Sequence, residues 1–358
     1  MRETVVVAGA RQPSVVSFVS IEPSTRSHTA HEVPAAAAWL ASAGSAIVWL
    51  ILAGSLATLA LTLLAAWSPT IDVLSHGKGH LLGLVLASGA ALMIGYRPVL
   101  ITALGLFLTL AVHALLGLSW QGPLTTPAQA ATAIGTSWKV ISFNTWHANR
   151  HHRDLVEFID RARADVVLLY EFGPDKIALL HDLERNYPYR EGCAEMWQCS
   201  VVILSRHPFS AAGIADREQS GGPARVWLQF GTGPSSLTVI GAHVLRPIDG
   251  PGAHWHELDQ LAAVVQEAGG RVILAGDLNA TPWSSGFQSF MVKSGLQHMN
   301  RFIPTFPAGR RGLPQLAIDH IFASPGMAIS DVRLGPDTGS DHRPLLATIE
   351  IPSGVPLD

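Results

Sequence analysis

The segment Leu274–Pro282 places two polar side chains directly after the apolar run Arg271–Ala275. The run predicts a buried strand that ends in a polar turn. Asp277 and Asn279 are two residues apart, so both side chains point to the same side of an extended backbone. A carboxylate and an amide that face one space suit chemistry on a phosphate ester, although a strand entering an Asx-type turn would give the same pattern.

Further polar groups stand within apolar runs, at their ends, or just before the last one. They are Asn144, Glu171, His243, Asp319 and the neighbours Asp341 and His342 in the segment Ser340–Pro344. Proteins built on sheets assemble their sites at strand ends, from residues far apart in sequence. We therefore expect these residues to converge with Asp277 and Asn279 at one edge of the fold.

The set contains what metal-assisted hydrolysis of a phosphate ester requires. Glu171, Asp277 and Asp341 supply hard oxygen ligands of the kind that Mg²⁺ prefers. His243 and His342 could donate to phosphate oxygens or transfer protons, and Asp319 could hold one imidazole in a fixed tautomer. Each residue alone has an ordinary explanation as a turn or cap residue, so the prediction depends on the whole set.

Composition divides the chain into a membrane part and a globular part. Between Pro34 and Trp120 the charged residues are Asp72, Lys78 and Arg97 alone. This region, 35–120, contains three apolar segments, and we predict three transmembrane helices; the second segment is short, with a re-entrant or buried segment as the alternative. The segments are Ala36–Trp67, Leu81–Tyr96 and Val99–Trp120.

The other parts of the chain follow from this division. Residues 1–34 form a polar tail, 121–137 a linker rich in Pro, Ala and Thr, and 138–352 the catalytic domain. Arginines in the tail and Arg97 in the second loop predict that both lie inside, which places the catalytic domain outside the cytoplasm. Cys193 and Cys199 could form a disulfide there or remain two separate thiols.

From Trp138 onward, strand-like runs alternate with helical or loop segments. Many strands with few helices indicate two packed sheets covered by helices, in an α+β or α/β sandwich. From Gly135 onward the chain has 19 Lys and Arg against 23 Asp and Glu. This slightly acidic balance lacks the basic surface of a tight nucleic-acid binder.

The motifs resemble those of the endonuclease/exonuclease/phosphatase superfamily, which has the fold of deoxyribonuclease I. The resemblance covers Trp138–Ile351 and follows the family's order of motifs. It rests on Asn144, Leu169-Tyr170-Glu171, Ala242-His243, Gly276-Asp277-Leu278-Asn279, Ile318-Asp319-His320 and Ser340-Asp341-His342-Arg343-Pro344. The resemblance implies a four-layer α/β/β/α sandwich with its site at one edge of the two sheets.

The resemblance also implies a role for each residue. Glu171 would hold Mg²⁺, or alternatively Mn²⁺, with Asn144 and Asp341 assisting. Asp277 would position and activate the attacking water, and Asn279 would bind the phosphate. His342 would pair with Asp319 and contact the phosphate, and His243 would lie opposite.

Some residues depart from this pattern or stand beside it. Tyr170 occupies a position where some relatives have Gln, and no acidic partner for His243 is evident. The histidines at 147, 151 and 152 are expected in a solvated loop, with lining of the cleft as the alternative. The segment His254–Glu257 begins a helix, and we expect it to form a surface face.

The sequence therefore predicts a membrane-embedded, Mg²⁺-dependent hydrolase of phosphate esters, a phosphodiesterase, nuclease or phosphatase that acts outside the cytoplasm. Its partner would be a phosphate-ester substrate, which could be a lipid, a small molecule or a nucleic acid. The alternative is a catalytically silent, membrane-tethered binding or scaffold module of the same fold. No protein partner is identifiable.

Overall fold

The computed structural model describes residues 35–95, 135–196, 199–298, 303–308 and 316–352. The chain divides into two compact units, Met1–Ala46 and Ile47–Asp358. Both sheets, their covering helices and the candidate site lie in the second unit. The predicted tail 1–34, the third apolar segment Val99–Trp120 and most of the linker lie outside the described residues.

Among the described residues, three α-helices precede the sheets: α1 (Ala35–Leu61), α2 (Pro69–Ser75) and α3 (Lys78–Gly95), with a 3₁₀ turn at Thr62–Trp67 after α1. Within the described residues, Gly44–Trp67 is the one helical run long and apolar enough to cross a membrane, and only 22% of its most apolar window is buried. The apolar part of α3, Lys78–Leu92, is shorter. Three transmembrane helices therefore stay a prediction.

The first sheet has six strands in the order β11-β12-β1-β2-β4-β3. The strands are β1 (Thr136–Asn144), β2 (Val166–Tyr170), β3 (Tyr189–Gly192), β4 (Val202–Ser205), β11 (Ala328–Leu334) and β12 (Leu345–Ile351). Strands β1 and β2 are parallel, and α4 (His152–Ala162) connects them. A second helix, α5 (Ile177–Leu183), follows β2. Strand β1 begins inside the predicted linker.

The second sheet also has six strands, in the order β5-β6-β7-β8-β10-β9. The strands are β5 (Ala211–Ala215), β6 (Ala224–Phe230), β7 (Leu237–His243), β8 (Arg271–Asp277), β9 (Gln297–His298) and β10 (Asp319–Ala323). Strands β7 and β8 are parallel, and α7 (Pro251–Ala268) connects them. The remaining helices are α6 (Arg217–Ser220) and α8 (Ser285–Ser294).

Three buried clusters define four layers. Val140, Leu168 and Ile203 of the first sheet share one cluster with inward residues of the second sheet, such as Val226 and Ile273. The outward face of the first sheet packs on α4 and α5, and that of the second on α7 and α8. The predicted α+β sandwich with helices on both outer faces is therefore confirmed.

The central strands are buried on both faces, which explains their continuous apolar sequences. All five residues of β2 are buried, and so are the first six of β7. Gly241 in β7 lies where the sheets meet, and an added Cβ there would stand 3.1 Å from Leu168. Close packing at this point fixes how the ends of β2 and β7 face each other.

Candidate active site

Strand register brings the predicted residues to one edge. Asn144 at the end of β1 is level with the end of β2, which leads directly into Glu171. In the second sheet His243 at the end of β7 pairs with Asp277 at the end of β8, and Asp277 also pairs with Asp319 at the start of β10. The carboxyl ends of both parallel pairs therefore meet at the same edge.

Asp277 is fully enclosed at this edge, at 1% exposure. Its Oδ2 accepts from Asn144 Nδ2 at 2.9 Å, and its Oδ1 accepts from the backbone N–H of Asn279 at 3.0 Å. Burial and the neighbouring Asp319 carboxylate raise the pKa of Asp277 to about 7. A carboxyl group with a pKa near the working pH is suited to accept a proton.

Asp319 and His342 form a buried pair. His342 Nδ1 lies 2.7 Å from Asp319 Oδ2, and His342 Nε2 lies 3.8 Å from Asp277 Oδ2. Burial lowers the pKa of His342, but the carboxylates of Asp319 and Asp277 outweigh this and raise it to about 10. The imidazolium is therefore held between two acids, and the ring of Phe306 packs against it with centroids 4.9 Å apart.

Glu171 begins the turn after β2 with a left-handed backbone, at φ 49°. Its Oε1 accepts from Asn144 Nδ2 at 3.1 Å. Its Oε2 accepts from the backbone N–H of His147 at 3.0 Å and lies 2.9 Å from that residue's ring. Burial opposes ionisation, but His243 and these hydrogen bonds lower the pKa of Glu171 to about 2. The group is a permanent carboxylate.

His243 lies between the carboxylates of the two sheets. Its Nε2 is 4.0 Å from Glu171 Oε1 and 3.8 Å from Asp277 Oδ2. Burial lowers the pKa of His243 to about 4, so the ring is neutral at neutral pH. Within the described part of the chain these are the two acids nearest its ring.

Glu257 on α7, together with Arg217, supports the backbone around His243. Arg217 Nη2 donates to the carbonyl oxygen of His243 at 2.8 Å, and its Nε donates to Glu257 at 2.5 Å. Glu257 also accepts from the backbone N–H of Leu245 at 2.8 Å. Because Glu257 is only 3% exposed, the expectation that His254–Glu257 forms a surface face is wrong. His254 is also buried, since this side of α7 packs on the site.

Asn279 follows Asp277 with a left-handed backbone, at φ 48°. Its Nδ2 donates to the carbonyl oxygen of Val244 at 2.9 Å, so it ties the turn after β8 to the turn after β7. The phosphate-binding role that the family resemblance implies for Asn279 stays a prediction. The contact itself shows that Asn279 fixes the spacing between His243 and Asp277.

The oxygen atoms at this edge fit a divalent cation. Asp341 is half-buried, and its Oδ1 has no hydrogen-bond donor among the described residues. Burial and the charge of Glu171 raise the pKa of Asp341, and His342 lowers it. A carboxylate oxygen that has no donor and lies near a second carboxylate is a place where a cation such as Mg²⁺ could bind.

A second set of potential metal ligands lies beside Glu171 and Asp341. Ligand atoms of Asp277, Asp319 and His342 fall within 4.8 Å of one another. His342 is already bonded to Asp319 and carries a proton at neutral pH, which an imidazole must lose before it binds a metal. Glu171 and Asp341 are therefore the carboxylates of this edge that could hold a cation, and their role as ligands stays a prediction.

Asn144 contacts site residues from both sheets. Its Nδ2 contacts both Glu171 and Asp277, and its Oδ1 accepts from the backbone N–H of Trp146 at 2.9 Å. Its carbonyl oxygen accepts from Ser340 Oγ at 2.7 Å. The side chain thus orients carboxylates from both sheets, and its predicted role as a metal ligand stays a prediction.

Two further residues support Glu171: His147, for which lining of the cleft was the alternative prediction, and Lys176, which was not singled out from the sequence. His147, expected in a solvated loop, contacts the carboxylate directly. Lys176 has a fully buried side chain, and its Nζ lies 3.3 Å and 3.4 Å from the carbonyl oxygens of His147 and Glu171. The position of His147 just after Asn144 was a usable signal, whereas lysine is almost always exposed and gave none.

Comparisons with known proteins agree with this geometry. A model described as Endonuclease/Exonuclease/phosphatase family matches residues 141–342, more than half of the chain. A UPF0294 protein of Vibrio campbellii is 30% identical over 121 residues, which are 32% of this chain and 40% of that protein. The chain therefore spans less than half the length of this curated relative.

Two solved structures share the fold. Humanized TDP2 of D. rerio is 18% identical with a TM-score of 0.50, over 60% of this chain and 99% of that one. An endonuclease/exonuclease/phosphatase family protein from Bacteroides thetaiotaomicron is 16% identical with a TM-score of 0.50, over 62% and 100%. With two mixed sheets, a polar edge built in the expected order and a family match across that edge, the chain belongs to the endonuclease/exonuclease/phosphatase family.

Proposed function

We propose that this protein is a membrane-anchored, Mg²⁺-dependent hydrolase of phosphate esters whose catalytic domain lies outside the cytoplasm. The observation that carries the proposal is the convergence of Glu171, His243, Asp277, Asp319 and His342 at one edge of two sheets. These residues span more than 170 positions of the sequence. An acid that ionises near neutrality, a permanent carboxylate and a fixed imidazolium together serve phosphoester hydrolysis.

Asp277 is the group that we assign to the attacking water. Its carboxylate would accept the proton of a water molecule while the water oxygen attacks phosphorus and the bond to the leaving oxygen breaks. Asn144 and the N–H of Asn279 hold this carboxylate in place. The imidazolium of His342, fixed by Asp319, would donate to a phosphate oxygen as negative charge develops there.

We assign Mg²⁺, with Mn²⁺ as the alternative, to Glu171 and Asp341, with Asn144 beside them. The cation would polarise the phosphoryl group and neutralise charge as the ester bond breaks. His147 fixes the orientation of Glu171 through two contacts to one carboxylate oxygen. The neutral ring of His243 would lie on the opposite side of the phosphate and could donate a hydrogen bond to it.

Membrane anchoring is supported by the apolar run Gly44–Trp67, which is mostly exposed although a soluble protein would bury it. The proposed location outside the cytoplasm rests on the arginines of the N-terminal tail. It also agrees with the disulfide between Cys193 and Cys199, because disulfides persist in oxidising compartments. A map of protease protection in intact cells tests it, and a cytoplasmic C-terminus would overturn it.

The slightly acidic catalytic domain favours a lipid-borne or small phosphate ester over a long nucleic acid. The test is a panel assay with purified protein and Mg²⁺ on plasmid DNA, sphingomyelin, phosphoinositides and bis(p-nitrophenyl) phosphate. Asp277→Ala, checked for folding by circular dichroism, should abolish hydrolysis. Cleavage of none of the substrates would favour the silent binding module, and activity that survives in the variant would show that the site is misassigned.

A further inference from the structure

The segment Ser68–Gly77, which we call the elbow, connects the N-terminal apolar helices α1 and α3 and packs on the catalytic domain. Its helix α2 contacts α7 and α8, the two helices that cover the second sheet. Asp72 in the elbow is 183 residues from Trp255 in α7 and 213 residues from Ser285 in α8. A loop that only connected two membrane segments would have no reason to bury polar side chains there.

Asp72 is the anchor of this contact. The side chain is only 1% exposed. Its carboxylate accepts three hydrogen bonds from the catalytic domain: the backbone N–H groups of Ser285 at 2.7 Å and Gly286 at 2.9 Å, and Trp255 Nε1 at 2.9 Å. The two amides open α8, so the carboxylate satisfies donors that have no partner within the helix. Gly286 admits this packing, because an added Cβ would lie 2.8 Å from Trp255.

His76 reaches further, to the segment Leu278–Ser284, which we call the catalytic loop because it continues directly from Asp277. His76 Nδ1 accepts from the backbone N–H of Thr281 at 3.1 Å. An accepting Nδ1 requires a neutral ring, and burial lowers the pKa of His76 to about 4. The elbow therefore holds the middle of this loop at Thr281 and its C-terminal end at Ser285 and Gly286.

Two further histidines hold the same loop from within the catalytic domain. His254 on α7 lies 3.2 Å from the carbonyl oxygen of Leu278, and His320 on β10 lies 2.7 Å from that of Ala280. His76 thus belongs to a set of three imidazoles that fix consecutive parts of one loop. It is the member that the N-terminal region supplies.

We infer that the elbow is a positioning element of the active site, in which Asp72 and His76 hold the catalytic loop so that Asp277 and Asn279 keep their productive geometry. The inference rests on the proposed function, since it assigns these two residues to hydrolysis. The elbow must also lie on the same side of the membrane as the catalytic domain. This agrees with the prediction from charge that the first loop is outside.

The test uses the full-length protein in detergent micelles, with bis(p-nitrophenyl) phosphate and Mg²⁺. Asp72→Ala should lower kcat about 10-fold to 100-fold, because a shift of about 1 Å in catalytic groups costs this much, while KM stays nearly unchanged. Trp255→Phe removes one donor to the same carboxylate without removing the ring, and should give a smaller loss in the same direction. His76→Ala should resemble Asp72→Ala.

The matched control is Ser75→Ala on the same helix. Ser75 is buried, but its hydroxyl has no hydrogen-bond partner within the described part of the chain, so kcat should not change. If Asp72→Ala lowers the melting temperature and leaves kcat at the wild-type value below that temperature, the elbow is only structural and the inference is overturned. The same holds if Ser75→Ala lowers kcat as much as Asp72→Ala.

Hydrogen–deuterium exchange separates this inference from the proposed function, because it requires no substrate. Asp72→Ala should raise exchange in residues 278–286 and leave the first sheet protected. Unchanged protection in that segment overturns the inference whatever the activity. If the wild-type protein hydrolyses no probe, the proposed function fails, and raised exchange confined to residues 278–286 still supports the coupling.

Discussion

Two parallel β–α–β units build the site from opposite sheets, and they differ in what surrounds them. In the first, β1–α4–β2, the connecting helix faces solvent with exposed charges such as Glu157 and Arg161. In the second, β7–α7–β8, the connecting helix is covered by the elbow through Trp255 and Asp72. The unit that carries Asp277, which we propose activates the attacking water, is thus supported by a segment outside the catalytic domain.

The first unit is stabilised from within. Glu171 depends on His147 and on the buried ammonium group of Lys176, which lie in the segments that follow β1 and β2 of the first sheet. Because a cation would itself hold Glu171, this half needs less external support. The comparison suggests that the two units have different roles. The first unit would bind the cation, and the second would accept the proton of the attacking water. The predictions below test that difference.

The largest expected effect comes from removing the cation. Chelation by EDTA, or Glu171→Gln, should reduce hydrolysis by more than about 10²-fold, since the cation stabilises transition-state charge by several kcal/mol. Excess Mg²⁺ should restore part of the Glu171→Gln activity in a titration of rate against Mg²⁺. Asp277→Ala should not respond to Mg²⁺ at any concentration. If both variants recover equally, the two halves do not divide the work.

The contact of His147 with Glu171 should increase the affinity of the site for Mg²⁺. His147→Ala removes one contact to the carboxylate, and the Mg²⁺ concentration for half-maximal rate should rise about 10-fold to 100-fold. The rate at saturating Mg²⁺ should change little. His151→Ala, which alters a ring that is 64% exposed in the same loop, is the control and should leave the titration unchanged.

The Arg217–Glu257 pair supports the second half, and its loss should act mainly on stability. Glu257→Gln removes a buried charge that accepts from Arg217 and from the N–H of Leu245. We expect a loss of about 1–3 kcal/mol in the free energy of unfolding, measured by chemical denaturation in detergent. Glu267→Gln, on the exposed side of the same helix, should change it by less than about 0.5 kcal/mol. An equal loss in both variants would contradict this assignment.

The smallest effect is expected at the end of β2 far from the site. Asp165 accepts from the backbone N–H of Lys139 and lies 2.9 Å from the ring of His207. Burial raises the pKa of Asp165, but these hydrogen bonds outweigh it and hold the pKa below its ordinary value. The ionised form therefore stabilises the fold above the unfolded pKa of about 3.9, and this contribution is lost as pH falls through the lower folded value.

Asp165→Asn should accordingly cost about 1 kcal/mol of unfolding free energy at pH 7, and the difference from wild type should shrink on acidification below about pH 4. Activity at pH 7 should not change, because the pair lies at the opposite end of the sheet from Glu171. A stability difference that does not depend on pH would show that the side chain acts by packing and not by charge.

Much of the site was predictable because its residues belong to short sequence motifs. Glu171, Asp277 and the neighbours Asp341 and His342 each follow or precede a strand that its apolar residues reveal. The structure places them at one edge, as strand-end geometry requires. The two sheets were predictable for the same reason, since strands buried on both faces have continuous apolar sequences.

What could not be predicted depends on contacts between distant segments. Asp72 reads as an isolated charge in a loop, and only the packing of α2 on α7 and α8 reveals its three partners. His254 and Glu257 have the sequence of an exposed helix start, yet the elbow and the loop after β7 cover them. Edge strands such as β3 and β11 were missed because partial exposure removes their apolar pattern.

The left-handed backbone at Glu171 and Asn279 has a consequence for attempts to improve this protein. A residue with a side chain is strained in that conformation by about 1–3 kcal/mol, and glycine is not. Glycine at either position would relax the chain while deleting a carboxylate or an amide to which we assign a role in hydrolysis. Directed evolution that selects only for heat resistance would therefore be drawn toward well-folded, inert variants at these two strand ends.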